Sequence, residues 1–296
     1  MNASEHPSQQ GYGPPSFSDT KPDFTTNHGE PTKVAAIAID GKEVRGAKNG
    51  GGARVHLLAG IDHTTGAVLV QKNVSEKHNE ITYFQPLLDA IKDLKDVVIS
   101  ADALHTQRAH ADYLHSRGGQ YVLTVKANQP KLHDQLLALP WKQIRAGNKT
   151  REIANGREIE RTVKCVSVDA GIKFPHAAQA AQITRKSRPI GTRKWSTETV
   201  YIVTSLTPAN GKPELIGSLI RGHWGIENGL HWRRDVTWRE DGSQVRRGNA
   251  PRVMASLRNI AITVLRLEGE TNLAKATRGA RNYPDRALKL IGLNIS

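Results

Sequence analysis

The segment Val34–Lys42, VAAIAIDGK, decides the interpretation of this chain. An unbroken apolar run with Pro31 before it and Gly41 after it is typical of a central β-strand that is buried on both faces. A carboxylate at the end of such a strand must be compensated by solvent, by a backbone turn or by a metal ion. Asp-Gly is also a common turn pair, so Asp40 taken alone is more simply the cap of its own turn.

A second copy of the same pattern changes that interpretation. Val97–Ala101, VVISA, is another short apolar run, and it leads directly into Asp102. If the two strands are parallel neighbours, their carboxyl ends bring Asp40 and Asp102 together. Because two carboxylates so close repel each other, a bound cation is the usual remedy.

The charge balance points to a polyanionic partner. The 296 residues include 42 Lys and Arg against 28 Asp and Glu, for a formal net charge of +14. A globular chain this basic most often binds nucleic acid. No apolar run approaches the ~18 residues of a membrane span, and MNASEHPSQQ at the N-terminus lacks the apolar core of a signal peptide. The single cysteine, Cys165, excludes an intrachain disulfide and a cysteine-built zinc site, so we expect a cytoplasmic, nucleoid-associated protein.

The order of elements predicts an α/β fold with a ribonuclease H-like mixed sheet flanked by helices. Three strands come first, the last two as an antiparallel hairpin around the turn DHTTG, and helices then precede a fourth and a fifth strand. In this arrangement the first and fourth strands are neighbours, which places Asp40 opposite Asp102. The predicted elements are strands Val34–Ile39, Val55–Ile61, Ala67–Val74, Val97–Ala101 and Tyr121–Val125, with helices at 82–94 and Thr106–Arg117.

The remaining chain divides by composition and periodicity. Residues 1–31 are polar and predict a disordered tail ahead of the first part of the core, 32–130. Residues 131–211 predict a mainly β insertion, in which 152–168 and 197–206 alternate like strands. Residues 212–267 form the helical second part of the core, and 268–296 a basic C-terminal tail.

Two helices are expected in the second part of the core. Pro213 opens a long helical segment in which His223, Glu227 and His231 recur every four residues, followed by Arg234 on the same face. A glutamate there could reach the two aspartates, although a solvated polar face has the same pattern. The His–Glu–His spacing also leaves open a zinc hydrolase, but HExxH is absent. The last helix starts near Pro251, and its predicted core-facing stripe consists of Val253, Leu257, Ile260, Val264 and Leu267.

Several short motifs resemble those of bacterial insertion-sequence transposases of the DDE class, in the branch of H-repeat-associated proteins. The resemblance spans about residues 34–267 and depends on the order and spacing of the motifs. They are AIDGK at 38–42, KHNEI at 77–81, ADA at 101–103, LTVKANQ at 123–129, RGHWGIENGLHW at 221–232 and GNAP at 248–251.

The resemblance implies a ribonuclease H-like core in which Asp40, Asp102 and Glu227 are the catalytic residues and bind Mg²⁺, or Mn²⁺ in its place. Magnesium prefers oxygen ligands, and two ions can serve an in-line displacement on DNA, first for cleavage and then for strand transfer. The partners would be double-stranded DNA, at transposon ends and target, and a second copy of the chain as a homodimer on that DNA. Six residues are candidates for DNA binding: Lys126, Asn128, His223, Arg234, Arg246 and Arg247.

Two other functions stay open. Family members usually carry another folded segment ahead of the first catalytic strand, and here that region is a short polar tail. The chain could therefore be an inactive, truncated relative that binds DNA or transposase subunits as a regulator. A stand-alone nuclease of the ribonuclease H type is the other alternative, and it would cut RNA–DNA hybrids.

Overall fold

The computed structural model describes residues 34–48, 54–74, 80–168, 171–226, 231–245 and 248–293. The predicted N-terminal tail, residues 1–31, lies outside these ranges. Within them the chain forms one nine-stranded sheet with the strand order β3-β2-β1-β4-β5-β9-β8-β7-β6. The strands are β1 (Ala36–Lys48), β2 (Arg54–Asp62), β3 (Val68–Val74), β4 (Val98–Ala101), β5 (Gln120–Val125), β6 (Asn148–Ala154), β7 (Arg157–Ser167), β8 (Gln179–Pro189) and β9 (Ser196–Thr204).

The first five strands have the ribonuclease H-like arrangement, which confirms the predicted fold class. β1, β2 and β3 are antiparallel neighbours, and β4 and β5 are then added parallel to β1. The β1–β4 ladder runs from Ala36 opposite Val98 to Ile39 opposite Ala101. The apolar runs at 34–39 and 97–101 therefore lie side by side in the middle of the sheet.

β1 is longer than predicted. Its pairing with β4 stops at Ile39, where we expected the strand to end, but the strand continues to Lys48 along β2. Asp40 pairs with Ala59 in this second half, and Val44 pairs with Val55. Val44, Val55 and Leu57 are buried together, and this apolar contact stabilises the extended conformation of the polar segment GKEV.

Helices cover both faces of the sheet. Phe84, Leu114 and Leu136 anchor α1, α2 and α3 to one face, in the largest apolar cluster. Ile216 and Ile220 anchor α4 to the opposite face, and Ile262 anchors α6 there beside β1 and β2. The helices are α1 (Glu80–Leu88), α2 (Arg108–Ser116), α3 (Pro130–Leu137), α4 (Pro213–Ile226), α5 (Trp232–Val236), α6 (Ala250–Leu267), α7 (Leu273–Asn282) and α8 (Pro284–Leu290). Among the residues that the structure covers, no helix is both long and apolar enough to cross a membrane.

The region 131–211 continues the central sheet. After α3, the strands β6 to β9 form an antiparallel meander, and β9 then pairs antiparallel with β5. The segment 152–168, predicted as one strand, belongs to two strands joined by a tight turn. Asn155 and Gly156 make that turn with φ angles of +50° and +68°. Asn-Gly is a preferred pair for such a hairpin because both residues tolerate positive φ.

The predicted core-facing stripe of α6 is wrong. Val253, Leu257, Ile260 and Leu267 are each at least 51% exposed, whereas Pro251, Ala255, Asn259, Ile262 and Leu265 are buried. Apolar packing of Ile262 and Leu265 and polar contacts with β3 both accompany the observed rotation of the helix. The Asn259 amide donates to Oε1 of Gln71 at 2.5 Å, and the Val68 amide donates to Oγ1 of Thr263 at 3.0 Å.

Candidate active site

Asp40 and Asp102 lie next to each other at one edge of the parallel ladder. They directly follow Ile39 and Ala101, the last pair in the register between β1 and β4. Neighbouring strands are about 4.8 Å apart. Since side chains alternate along a strand, both aspartates share the sheet face of Ala38 and Ser100, which is the face covered by α4.

Local backbone contacts hold one oxygen of each carboxylate. Oδ1 of Asp40 accepts a hydrogen bond from the Gly41 amide at 2.8 Å. Oδ1 of Asp102 accepts one from the Leu104 amide at 3.0 Å, and Asp102 thereby caps the 3₁₀ turn Ala103–His105. Both residues are partly exposed, although Oδ2 of Asp40 is itself buried, and this arrangement restricts the rotation of the two carboxylates.

His231 lies beside Asp40, immediately before α5. Its Nδ1 is 3.4 Å from Oδ2 of Asp40. Burial, together with the nearby Lys42 and Arg234, lowers the pKa of His231 to about 3. The imidazole is therefore neutral at pH 7, and it adds no positive charge next to the Asp40 carboxylate.

Lys42 and Asp235 join α5 to β1. Nζ of the buried Lys42 lies 2.8 Å from Oδ1 and 2.7 Å from Oδ2 of Asp235. Lys42 shares the sheet face of Asp40, because the two are separated by one residue on the strand. The ion pair fixes the segment after His231 over the first aspartate. Sequence reasoning gave Asp235 no role, since nothing local connects it to a strand 193 residues earlier.

Arg234 was predicted as a DNA contact, and the structure buries it. Its guanidinium group and the carboxylate of Glu240 are each 1% exposed, and they form a two-point ion pair at 2.8 and 2.9 Å. Arg258 approaches the same carboxylate at 3.4 Å. Arg234 therefore holds the connection after α5 in place, and its charge faces the protein interior.

His223, also predicted as a DNA contact, is turned into the protein from the last part of α4. It is 5% exposed, and its Nδ1 lies 3.1 Å from Oγ of Ser100. Burial is the main cause that lowers the pKa of His223 to about 4. The side chain is neutral at pH 7, and its partner Ser100 comes two residues before Asp102.

Lys126 and Asn128 follow β5 at the same edge of the sheet as the two aspartates. Both are exposed. The Asn128 amide donates to the carbonyl oxygen of Ala103 at 2.7 Å, which joins this loop to the turn after Asp102. Of the four predicted DNA contacts within the described ranges, these two are the accessible ones.

A buried carboxylate lies beneath the site, on the other face of the sheet. The two oxygens of Glu80 contact Nε2 of His56 and Nε2 of His105, the latter at 3.6 Å. Burial raises the pKa of Glu80, but the contacts with His105 and His56 outweigh it and lower the pKa to about 2. A Cβ atom on Gly41 would meet this carboxylate at 2.5 to 2.8 Å, so a larger residue after Asp40 would require Glu80 to shift. Sequence reasoning used KHNEI as a family motif and missed the contact.

Glu227, Arg246 and Arg247 fall outside the described residues. Within the ranges that are described, no three His, Cys, Asp or Glu side chains are arranged to hold a metal ion. The described part of the site is therefore a pair of carboxylates, with His223 and His231 on either side of the segment 227–230. His223 reaches β4 through Ser100, and His231 reaches Asp40 on β1.

Known proteins provide an independent comparison. YbfL and the H repeat-associated protein YhhI, both of Escherichia coli K12, are each 30% identical to this chain over 240 residues. YncI of Escherichia coli O157:H7 is 30% identical over 254 residues. These matches cover 77 to 80% of this chain and 63% of each relative, so the chain spans less than two thirds of their length.

A structural comparison found the piggyBac transposase in a synaptic complex with hairpin DNA. The TM-score is 0.44 at 12% identity, over 82% of this chain and 48% of that one. The sequence profile of the family described as Transposase DDE domain matches residues 33–264, a range that begins just before β1 and ends in α6. Since this match covers most of the sequence, together with both aspartates, the chain belongs to the DDE transposase family.

Proposed function

We propose that this chain is the catalytic core of an insertion-sequence transposase that cleaves DNA and transfers strands in a Mg²⁺-dependent reaction. The observation that carries the proposal is the register of β1 and β4, which sets Asp40 and Asp102 side by side on one face. Each aspartate accepts a local backbone hydrogen bond, but those bonds leave the repulsion between two neighbouring carboxylates uncompensated.

Glu227 is proposed as the third carboxylate of the site. It follows α4 by one residue in the sequence. The contacts on either side of it support this assignment, because His223 is bonded to the strand of Asp102 and His231 lies against Asp40. The chain between the two histidines therefore starts and ends close to the two aspartates.

The donor set fits Mg²⁺, with Mn²⁺ as a substitute. Carboxylate oxygens are hard ligands, and Mg²⁺ needs only one or two of them beside water and substrate phosphates. Each aspartate has one oxygen held by the backbone, which orients the carboxylate before an ion arrives. When bound, divalent ions would stabilise the charge on the attacking and leaving oxygens of a phosphodiester.

Double-stranded DNA is the proposed substrate, at both element ends and target, with two copies of the chain acting together on it. The net charge of +14 supports a polyanionic partner. Lys126 and Asn128 are exposed beside the aspartates and are proposed to contact phosphates. Arg246 and Arg247 are proposed for the same role on sequence grounds alone.

The test is a cleavage assay on a duplex carrying an element end. We expect Asp40→Asn, Asp102→Asn and Glu227→Gln each to reduce cutting by at least about 10³-fold while DNA affinity changes by less than about threefold. Asp134→Asn is the matched control, because Asp134 is an exposed aspartate on α3. Cutting near the wild-type rate by any of the three variants removes that residue from the site.

The same assay decides between the proposed enzyme and a regulator. If the wild-type chain binds the duplex but does not cut it with Mg²⁺ or Mn²⁺, the regulatory function is the better description. Cleavage restricted to RNA–DNA hybrids would instead identify a stand-alone nuclease.

A further inference from the structure

Three side chains form a continuous hydrogen-bonded chain between the sheet and α4. Nε2 of His63 lies 2.8 Å from Oγ of Ser100, and the same oxygen lies 3.1 Å from Nδ1 of His223. Ser100 is fully buried and His223 nearly so. The chain therefore joins the turn after β2, the middle of the sheet and the last turn of a helix.

The hydrogen-bonded series of His63, Ser100 and His223 is adjacent in sequence to residues of the candidate active site. Ser100 comes two residues before Asp102 on β4, and its side chain is on the same face of the sheet. His223 lies in the last turn of α4, four residues before Glu227 in the sequence. One short hydrogen-bonded link thus connects the strand that carries the second aspartate to the helix that precedes the glutamate.

Close packing keeps His63 between the helix and the sheet. A Cβ atom on Gly222 would lie 2.6 Å from Nδ1 of His63, so a larger residue where α4 passes over this ring would require the ring to shift. The backbone amide of His63 also donates to the carbonyl oxygen of Ala36 on β1 at 2.9 Å. His63 is therefore fixed on both sides, and it gives Ser100 a rigid second partner.

The hydrogen-bonding capacity of the three groups is satisfied when both histidines are neutral. A serine hydroxyl can donate to one imidazole nitrogen and accept from the N–H of the other. Burial lowers the pKa of His63 and of His223 to about 4, which agrees with two neutral rings at pH 7. A neutral, buried imidazole is poorly suited to contact a DNA phosphate.

We propose that His223 is a positioning residue, which through Ser100 fixes the last turn of α4 against the carboxyl end of β4. This inference rests on the proposed function, because the orientation matters only if the chain after α4 supplies a ligand beside Asp102. Loss of the link leaves the DNA-binding surface intact and lets the end of α4 move relative to Asp102.

The test compares variants that break the link with one that keeps it. Ser100→Ala and His223→Leu remove the hydrogen bond. His223→Asn retains a polar group near the position of Nδ1 but has no ring that can be protonated. Ser218→Ala is the matched control, because the Ser218 hydroxyl donates only within α4, to the carbonyl oxygen of Leu215 at 2.8 Å.

The first measurement is hydrogen–deuterium exchange of the metal-free protein, at amides 222–226. We expect exchange to accelerate about tenfold in Ser100→Ala and His223→Leu, the factor for loss of one buried hydrogen bond. His223→Asn and Ser218→Ala should stay within about twofold of wild type. Unchanged exchange in Ser100→Ala would overturn the proposal.

The second measurement separates positioning from DNA contact. In the cleavage assay, Ser100→Ala and His223→Leu should raise the Mg²⁺ concentration for half-maximal cutting by about five- to tenfold, with DNA affinity within about twofold of wild type. If both His223 variants instead weaken DNA binding while Ser100→Ala behaves as wild type, His223 contacts phosphate and the proposal is wrong. If the wild-type chain never cuts DNA, the proposed function fails, and the exchange measurement alone then decides whether the link fixes α4.

Discussion

The α-carbon of Gly41 lies directly against the buried carboxylate of Glu80. A Cβ atom at position 41 would be 2.5 Å from Oε2 and 2.8 Å from Oε1 of Glu80. Because Gly41 follows Asp40, the first aspartate of the candidate site depends on a close contact with the opposite face of the sheet.

Gly41→Ala should therefore destabilise the protein by about 1–3 kcal/mol, because the added methyl group overpacks a buried ionic cluster. Urea unfolding measures this change. In Gly41→Ala/Glu80→Ala the two effects should not be additive, since the second change removes the group that the methyl meets. Gly279→Ala, in the middle of α7, is the control and should stabilise by about 0.5–1 kcal/mol. If Gly41→Ala left the free energy of unfolding unchanged or increased it, the contact between position 41 and Glu80 would be absent.

The buried ion pair of Arg234 and Glu240 predicts a stability effect without a loss of DNA affinity. Arg234→Met removes the two-point partner of the buried Glu240 carboxylate and leaves Arg258 at 3.4 Å from it, so we expect a loss of about 3 kcal/mol in the free energy of unfolding. Arg252→Met changes an exposed arginine at the start of α6 and should cost less than about 0.5 kcal/mol. If Arg234→Met lowered DNA affinity without changing the free energy of unfolding, Arg234 would be a DNA contact after all.

The rotation of α6 makes a further prediction. Leu257→Gln changes an exposed side chain and should alter stability by less than about 0.5 kcal/mol. Ile262→Ala removes a buried side chain and should cost about 2–5 kcal/mol. Thermal or urea unfolding of the two variants compares the faces directly. If Leu257→Gln cost more stability than Ile262→Ala, the apolar stripe that contains Leu257 would face the core, as the sequence pattern predicted.

The buried histidines predict a loss of stability in weakly acidic solution. Burial lowers the pKa of His63 and of His223 from 6.5 to about 4. The unfolded chain therefore binds protons between pH 6.5 and 4 that the folded chain does not bind. The free energy of unfolding should fall as the pH is lowered through this window, by up to about 1.4 kcal/mol per pH unit for each histidine.

Urea unfolding at pH 7, 5.5 and 4.5 checks this slope. Glu80 contributes little to it, because its pKa is lowered from 4.5 to about 2 and its stabilising effect is lost mainly as the pH falls from about 4.5 to 2. His63→Gln should reduce the pH dependence of the free energy of unfolding by the contribution of one histidine. A stability that does not change from pH 7 to 4.5 would show that these imidazoles are not held neutral.

The central part of the fold could be predicted because its signals are local. Two apolar runs that each lead into an aspartate gave the paired strands β1 and β4 and the relation of Asp40 to Asp102. The β6–β7 hairpin also had a local signal, the pair Asn155–Gly156, which our interpretation of 152–168 as one strand overlooked. The face of α6 was predicted from apolar periodicity, but the helix buries Ile262 and Leu265 instead, on the side where Asn259 and Thr263 bond to β3.

Most of the support around the site could not be predicted, since it depends on residues far apart in sequence. His63 and Ser100 are separated by 37 positions, and Ser100 and His223 by 123. The same holds for Lys42 and Asp235. Neither periodicity nor a short motif predicts side-chain contacts between residues so far apart in sequence. A single basic residue such as Arg234 also has the same sequence signal whether it faces DNA or an internal glutamate.

The pairing of β9 with β5 has a consequence for how this protein can change in length. If the stretch from β6 to β9 were deleted, β5 would become an open edge that could pair with other chains. Shortening is tolerated where no ladder is broken, for example at residues 190–195 between β8 and β9, whereas the Asn155–Gly156 turn already has only two residues. Natural size variation in this region should therefore fall in such connections, with the strands themselves kept as a unit.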